Sequence, residues 1–479
     1  MQQSGYNTYY TGKLFNSHTV DNYKDPYVKG YTGSDFLLEP FTYQYWNATS
    51  TRNGQTPVNH AGKYSPDLTA QSAFDFLEEA IGDGDTPFFL TVAPIAPHAD
   101  VTLYPEIIAG PPKVAPRHQH LFKDYKIPRT ENFNPENSSG VSWVSTLPRL
   151  NDTVLEYNDE YQRQRLRSLQ AVDEMVKGIV ERLEGAGVID NTYIIYTTDN
   201  GYHISQHRMH PGKECGFETD INVPFIIRGP NISPGSSQHL PTSHTDLAPT
   251  IMHLAGNDIK HHAFDGAPIP VTRNDLEKTM PRQEHVAVEF WGLGVPEGRY
   301  GYSGKYQFVN GTANAYVNNT YKGLRIESEE YSLYYSVWCT NERELYDMKH
   351  DPGQMNNILA DQDTSALASQ KVNGYTLDRI VPRLDALMMV LKSCKGNTCV
   401  EPWLSLHPSG TVKSLSEALH ESYDTFYATQ DKVGFTSCEL GYIVEAEGPQ
   451  SVFAFPDLLS DVGPSDQKPL FNPDWSMWV

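Results

Sequence analysis

Positive charge is what this sequence lacks most. It carries 37 Lys and Arg against 59 Asp and Glu, a formal net charge of −22 over 479 residues. Such a chain has no basic field to meet phosphates, so a nucleic-acid binder and a polybasic membrane-surface protein are both excluded as readings. Long apolar runs are missing as well. None approaches the ~20 residues that a spanning helix needs, so no membrane span is expected. The N-terminus, MQQSGYNTYYTGKLF, has neither the basic start nor the apolar core of a secretory leader. There is no internal repeat. Cysteine is scarce, with five in all, too few for a disulfide scaffold.

What is present reads as a secretory glycoprotein. Six Asn-x-Ser/Thr sequons, at Asn47, Asn137, Asn151, Asn231, Asn310 and Asn318, are candidate glycosylation sites, and none has Pro in the middle. Cys394 and Cys399 bracket a turn-rich SCKGNTC loop and suit a local disulfide, while Cys215, Cys339 and Cys438 have no pairing evident from sequence. Secretory features without a leader point to an N-terminally truncated chain.

The length suits two or three domains, or one large domain and a smaller one. Residues 1–65 are rich in Tyr, Asn, Gly and Asp and read as loops after a short strand near Tyr6–Tyr10. Apolar spacing predicts helices over 66–81, 156–186, 246–254 and 376–392. The continuous apolar runs in FFLTVA, NTYIIYTTDNG and NVPFIIRGP predict strands buried on both faces. Residues 104–150 resemble a long irregular insertion. Strand–helix alternation through about 280 implies an α/β sheet with helices on both faces, which places ligands at the C-terminal ends of its strands. HVAVEFW, YKGLRIE, YSLYYSVW and RELYDM then follow one another as a small antiparallel sheet. We place the boundary so that 1–283 is the α/β domain and 284–479 an α+β subdomain.

Asp199 and Asn200 follow the YIIYTT strand and are hard oxygen donors, suited to Ca²⁺ or Mg²⁺. Lys213 can hold an anion or a leaving oxygen, and His98 in APIAPHAD can act as a general acid or anion donor. Taken singly, each is more often a turn residue, a solvated lysine or a hydrogen-bonded loop histidine. Lys13 in TGKLFN is weaker still alone.

Their order is informative. GYNTYYTGK, FFLTVAPIAPH, YIIYTTDNGYHISQHRMHPGKECGFETDINVPFIIRGP and SHTDLAPTIMHLAG, in that order over residues 5–256, resemble the sulfatase family. The likeness is greatest to fungal-type arylsulfatases and to N-acetylglucosamine-6-sulfatases. ELYDMKHDPGQMNN at about 344–357 resembles the family's C-terminal subdomain. The resemblance implies an alkaline-phosphatase-like mixed sheet sandwiched by helices, with a smaller antiparallel-sheet subdomain. It implies a calcium-dependent hydrolase of sulfate monoesters using formylglycine made from a Cys or Ser in Cys-x-Pro-x-Arg. By motif, Asp199 and Asn200 become the later pair of metal ligands, Lys213 the lysine touching sulfate and the leaving oxygen, His98 the histidine near the leaving group and Lys13 the lysine of the Gly-Lys motif. Many members have His two residues after that lysine. Here Phe15 stands there, so Asn16 is assigned a substitute role in substrate binding, with His18 a further candidate and His203 a substrate-binding candidate.

No Cys-x-Pro-x-Arg or Ser-x-Pro-x-Arg occurs, so the formylglycine nucleophile and the first Asp pair are expected upstream of this chain. Two readings follow: a truncated version of an active enzyme, or a genuine short product. Three functions are weighed. The first is hydrolysis of aryl or sugar sulfate esters, aryl preferred, by a secreted or vacuolar/lysosome-like enzyme. The second is a non-catalytic glycoprotein binding sulfated ligands, or the glucosamine-6-sulfatase variant of the first. The third is a phosphoesterase of the same superfold, for which His203, His207 and His210 are spare ligands.

Overall fold

A computed structural model of the chain describes residues 1–103, 108–259, 263–278, 283–301, 316–360, 367–450, 452, 454 and 455. Two sheets organise it. The first has five strands: β1 (Asn7–Lys13), β2 (Gly33–Leu37), β3 (Thr49–Arg52), β4 (Val58–Asn59) and β5 (Phe88–Ala93), in the order β4-β3-β2-β1-β5. β1 runs parallel to both neighbours, with Lys13 opposite Leu37 of β2 and Gly12 opposite Ala93 of β5. β2–β3 and β3–β4 are antiparallel, so the sheet is mixed.

The strands of residues 1–65 correct the loop reading. β2, β3 and β4 are five, four and two residues long. Runs so short show no alternation, and each exists because a neighbour supplies the ladder. β1 is the favourable exception, being rich in Tyr and Thr. Its Gly12 sits at φ +105°, and a Cβ there would run into the Ala93 carbonyl oxygen. Only glycine lets β1 approach β5 so closely just before Lys13.

Two helices cover this sheet. α1 (Ser65–Gly82) starts with Pro66 in its first turn and Asp67 at its positive end, both favourable there. Its buried face carries Phe76, whose ring lies 5.3 Å from that of Tyr9 in β1. α2 (Asp152–Gly185) is capped by Asn151, whose side chain accepts from Val154 N at 3.1 Å. Its Ala171, Val172 and Met175 share a core with Ala70 of α1 and Leu37 of β2. A short helix, α3 (Leu247–Leu254), follows a single 3₁₀ turn.

The strands expected to be buried on both faces are not. All six residues of β5 are only partly buried, and beyond β1 it pairs with no strand among the described residues. The other two runs form β6 (Ile194–Tyr196) and β7 (Ile226–Arg228), which pair antiparallel with each other alone. Tyr196 is 37 % exposed and Ile226 61 %. Unbroken apolar sequence reports readiness for burial, and the burial itself depends on neighbours from elsewhere in the chain.

The second sheet is antiparallel: β8 (His285–Phe290), β9 (Tyr321–Glu327), β10 (Ser332–Trp338) and β11 (Arg343–Asp347), in chain order. All seven residues of β10 are buried. α4 (Leu377–Leu391) packs Leu384, Leu387 and Met388 against Leu324, Tyr335 and Leu345. Cys339 is bonded to Cys438 and Cys394 to Cys399, leaving Cys215 free and buried. A separate cluster packs two loop segments on the second sheet: Val141, Val144, Met209, Cys215 and Phe217 lie against Tyr321 and Trp338.

Candidate active site

Two of the candidate residues lie where parallel strands end, as that topology favours, and three lie in the connection of the antiparallel β6–β7 pair. Lys13 is the last residue of β1, and His98 lies five residues beyond β5. Asp199 and Asn200 follow β6, and Lys213 sits in the loop that leads on toward β7. Lys13 and His98 meet at Tyr43, in the loop after β2. The His98 ring stacks on the Tyr43 ring at 4.5 Å and 24°. Lys13 Nζ lies 5.0 Å from the Tyr43 ring centre. The Tyr43 hydroxyl donates to Asn16 Oδ1 at 2.8 Å. Lys213 and Asp199 both act electrostatically on Tyr43. Sequence reasoning missed Tyr43 because an isolated tyrosine among 29 carries no pattern.

Electrostatics tie the set together. Burial pushes His98 down to about 4, helped by the nearby charges of Lys213 and Lys13 and opposed by Glu297. Its Nδ1 lies 2.9 Å from the Ala99 carbonyl oxygen, which assigns the proton to Nδ1 and leaves Nε2 with a free lone pair. Burial lowers Lys13, against the raising effect of Asp199 and Glu39. Two lysines thus act by charge on one histidine, in a protein of net charge −22.

A scaffold beneath holds the two loops. Arg165 of α2 donates from Nη1 to Pro97 O at 3.1 Å and stacks 3.8 Å above the Tyr202 ring. The hydroxyl of Tyr202 donates to Glu297 Oε2 at 2.6 Å, as does that of Tyr161 at 3.0 Å. Gly201 N and Tyr202 N donate to Asp220 O and Thr219 O at 2.8 and 2.7 Å. A Cβ on Gly201 would run into the Thr219 carbonyl oxygen, so the Asp-Asn-Gly turn needs its glycine here.

Asp199 is exposed, and its Oδ1 accepts from Asn200 N at 3.0 Å. Asn200 Nδ2 donates to Gly201 O at 2.6 Å, leaving Oδ1 as its donor atom for a cation. This pair fits a hard cation in kind and supplies two of the roughly six to eight oxygens that Ca²⁺ takes. The ligand atoms of His203, Cys215 and Asp220 also lie within 4.8 Å of one another. That set does not fit Ca²⁺, because it includes imidazole nitrogen and thiol sulfur.

The structure reassigns His203, His18 and the spare histidines. His203 is fully buried, with Nδ1 3.0 and 2.9 Å from the two Asp220 oxygens, so it fixes the loop instead of meeting a substrate. His18 is buried and packs edge-on against Phe36. His207 is buried and stacked on Phe217 at 4.0 Å, which leaves no second cation cluster around these histidines among the described residues. Asn16 is exposed and accepts a hydrogen bond from Tyr43. Cys215, two residues from Lys213, is fully buried and its thiol is pushed well above the usual range by that burial, so it is no nucleophile. A cavity of about 140 Å³ on the α1 side, lined by Leu37, Leu68, Asp35 and Arg52 among others, includes none of the candidate catalytic residues.

The family model named Sulfatase matches residues 1–257. The chain belongs to the sulfatase family. Sulfatase ppz1 of Metarhizium majus is 41 % identical over 421 residues, covering 88 % of this chain and 87 % of that one. The arylsulfatase of Volvox carteri is 37 % identical, over 91 % of this chain and 67 % of its own. The N-acetylglucosamine-6-sulfatase of Homo sapiens is 30 % identical, over 83 % and 69 %. Among solved structures, a protein in complex with its substrate D-glucosamine-2-N, 6-O-disulfate superposes with a TM-score of 0.57 at 21 % identity, over 75 % and 76 % of the two chains, which supports the shared fold. This sulfatase is accordingly a sulfuric ester hydrolase by family, with the alkaline-phosphatase-like fold.

Proposed function

We propose that the site around Tyr43 binds the sulfate group of an aryl sulfate and assists departure of the aryl oxygen. The observation that carries this is the meeting of Lys13, at the end of β1, and His98, in the loop after β5, on the Tyr43 ring, with the charge of Lys213 acting on both Tyr43 and His98. Lys13 and Lys213 balance the sulfate charge. Lys213, also near His98, takes the position beside the leaving oxygen. Neutral His98, with Nδ1 donating to Ala99, offers Nε2 as an acceptor at rest. An anion bound between the lysines offsets their charge and raises the proton affinity of His98, so Nε2 can then carry a proton toward the departing oxygen.

Asp199 and Asn200 would hold calcium, which when bound supplies positive charge beside the sulfate. The family's nucleophile, formylglycine, arises in Cys-x-Pro-x-Arg, and none of the five cysteines here stands in that motif. The aryl preference rests on the higher identity to an arylsulfatase, 37 %, than to an N-acetylglucosamine-6-sulfatase, 30 %. The substrate of the structural neighbour favours a sugar 6-sulfate as the second reading. Sequons at Asn137, Asn151, Asn231 and Asn318 are exposed and suit a secreted or lysosome-like glycoprotein. Asn47 is partly buried with its amide donating to Gln44, and Asn310 lies outside the described residues. No helix among the described residues is long and apolar enough to cross a membrane.

Isothermal titration of the 479-residue chain with inorganic sulfate, 4-nitrophenyl sulfate and glucosamine 6-sulfate, with Ca²⁺ and with a chelator, tests the proposal. Saturable binding that favours the aryl ester, weakens on chelation and weakens about tenfold in Lys13→Ala and in Lys213→Ala supports it. Absence of saturable binding, or binding indifferent to both lysines, overturns it. A preference for glucosamine 6-sulfate replaces the aryl reading with the sugar one.

A further inference from the structure

We infer that Tyr43 is the positioning residue of this site, its ring and hydroxyl holding Lys13, Asn16 and His98 in one arrangement. The inference rests on the reading of Lys13 and His98 as sulfate-site residues. Those three belong to separate pieces of chain: the end of β1, the turn after it and the loop after β5. Tyr43 is the neighbour they share. It is 8 % exposed, stacked on His98, beneath the Lys13 ammonium and hydrogen-bonded to Asn16.

Its own position is fixed from the backbone. Val101 N donates to Tyr43 O at 3.2 Å, and Tyr45 N donates to Asp100 Oδ1 at the same distance. The fully buried Tyr45 returns its hydroxyl to the His98 carbonyl at 2.7 Å. Residues 43–45 are thereby stitched to 98–101 on both sides of the stack, so the Tyr43 and His98 rings cannot slide apart without breaking these bonds. The ring excludes water from one face of the imidazole, and its negative π face lies toward the lysine. Loss of the ring frees His98 to turn and lets water reach it, while the backbone stitches stay in place.

The experiment is an NMR titration of the His98 imidazole in the full chain, assigned by its disappearance in His98→Gln. It compares the parent, Tyr43→Phe and Tyr43→Leu, with matching circular dichroism as the check of folding. Tyr43→Met serves if Tyr43→Leu does not fold. The charged groups around His98, namely Lys213, Lys13 and Glu297, are the same in every variant. The parent should titrate near 4. Tyr43→Phe, which keeps the stack, should stay within about half a unit, and Tyr43→Leu should rise by about one unit or more toward the ordinary value. Affinity for inorganic sulfate should fall about tenfold in Tyr43→Leu. An unmoved His98 titration in a folded Tyr43→Leu or Tyr43→Met chain overturns the inference. A parent chain that binds no sulfate overturns the sulfate reading instead, and the His98 titration still decides what Tyr43 does.

Discussion

The two sheets of this molecule solve burial differently. β10, in the antiparallel sheet, has all seven residues buried between two paired neighbours, and α4 packs on that sheet's core. β5, in the mixed sheet, has six apolar or Thr residues, none fully buried, and a partner on one edge. The antiparallel sheet is cross-linked by the 99-residue span between Cys339 and Cys438, and the mixed sheet holds no disulfide among the described residues. The candidate site lies at the ends of β1 and β5, the second of them half-buried throughout. The long-range cross-link and the candidate site therefore lie in different halves, and the cluster around Trp338 packs loops of one on the sheet of the other.

The sharpest attempt to break that division is Trp338→Ala. Trp338 is fully buried, donates to Glu344 Oε2 at 2.8 Å, and packs on Tyr321 and Trp143. Its truncation should cost about 3–5 kcal/mol in denaturant unfolding, against roughly 1 kcal/mol for Leu90→Ala in the half-buried β5. Equal costs would sink the comparison. Next in size, replacing Cys339 and Cys438 together by Ser should cost about 2–4 kcal/mol by releasing a long loop. Replacing Cys394 and Cys399, which close a loop of five, should cost less, as paired thermal melts would show.

Lys213→Ala moves the test to the site. It should weaken inorganic sulfate binding by about tenfold, close to 1.4 kcal/mol, while shifting unfolding free energy by less than about 0.5 kcal/mol. A comparable loss of stability would mean that the site is part of the frame after all.

The smallest effect is a pH dependence at Glu214. Burial pushes its carboxyl up to about 7 from an ordinary 4.5. The folded state thus keeps a proton that the unfolded state has released between those values. The contribution is complete below 4.5 and is lost as pH rises through 7. Glu214→Gln cannot lose it, so the variant's melting midpoint should gain on the parent between pH 5 and pH 8 by on the order of 2 °C. An offset that is the same at both pH values would show that the carboxyl ionises freely.

Legibility in the sequence followed the range of the forces involved. α1, α2 and α4 were readable because a helix writes its own 3.6-residue period into contiguous sequence. The candidate site residues in Gly-Lys, Ala-Pro-His, Asp-Asn-Gly and Gly-Lys form an ordered series in the sequence, although each is ambiguous alone. β2 to β4 were not, since strands of two to five residues depend on partners that local sequence does not name. The same holds for the Cys339–Cys438 pairing. His203 was misjudged because a histidine in a motif looks alike whether it faces a ligand or, as here, a buried Asp220. Tyr43 acts through three contacts from distant segments, and no window of sequence contains them.

The open side of β5 bears on how the protein behaves in a crowded solution. FFLTVA is six residues long, apolar, uncharged and free of Pro, the make-up of a segment that stacks into cross-β fibrils. A surplus of 22 negative charges opposes such encounters by pushing copies apart. Salt shortens that repulsion to about 10 Å at 0.1 M. Colloidal lifetime should therefore shorten as ionic strength rises, read as faster growth of light scattering.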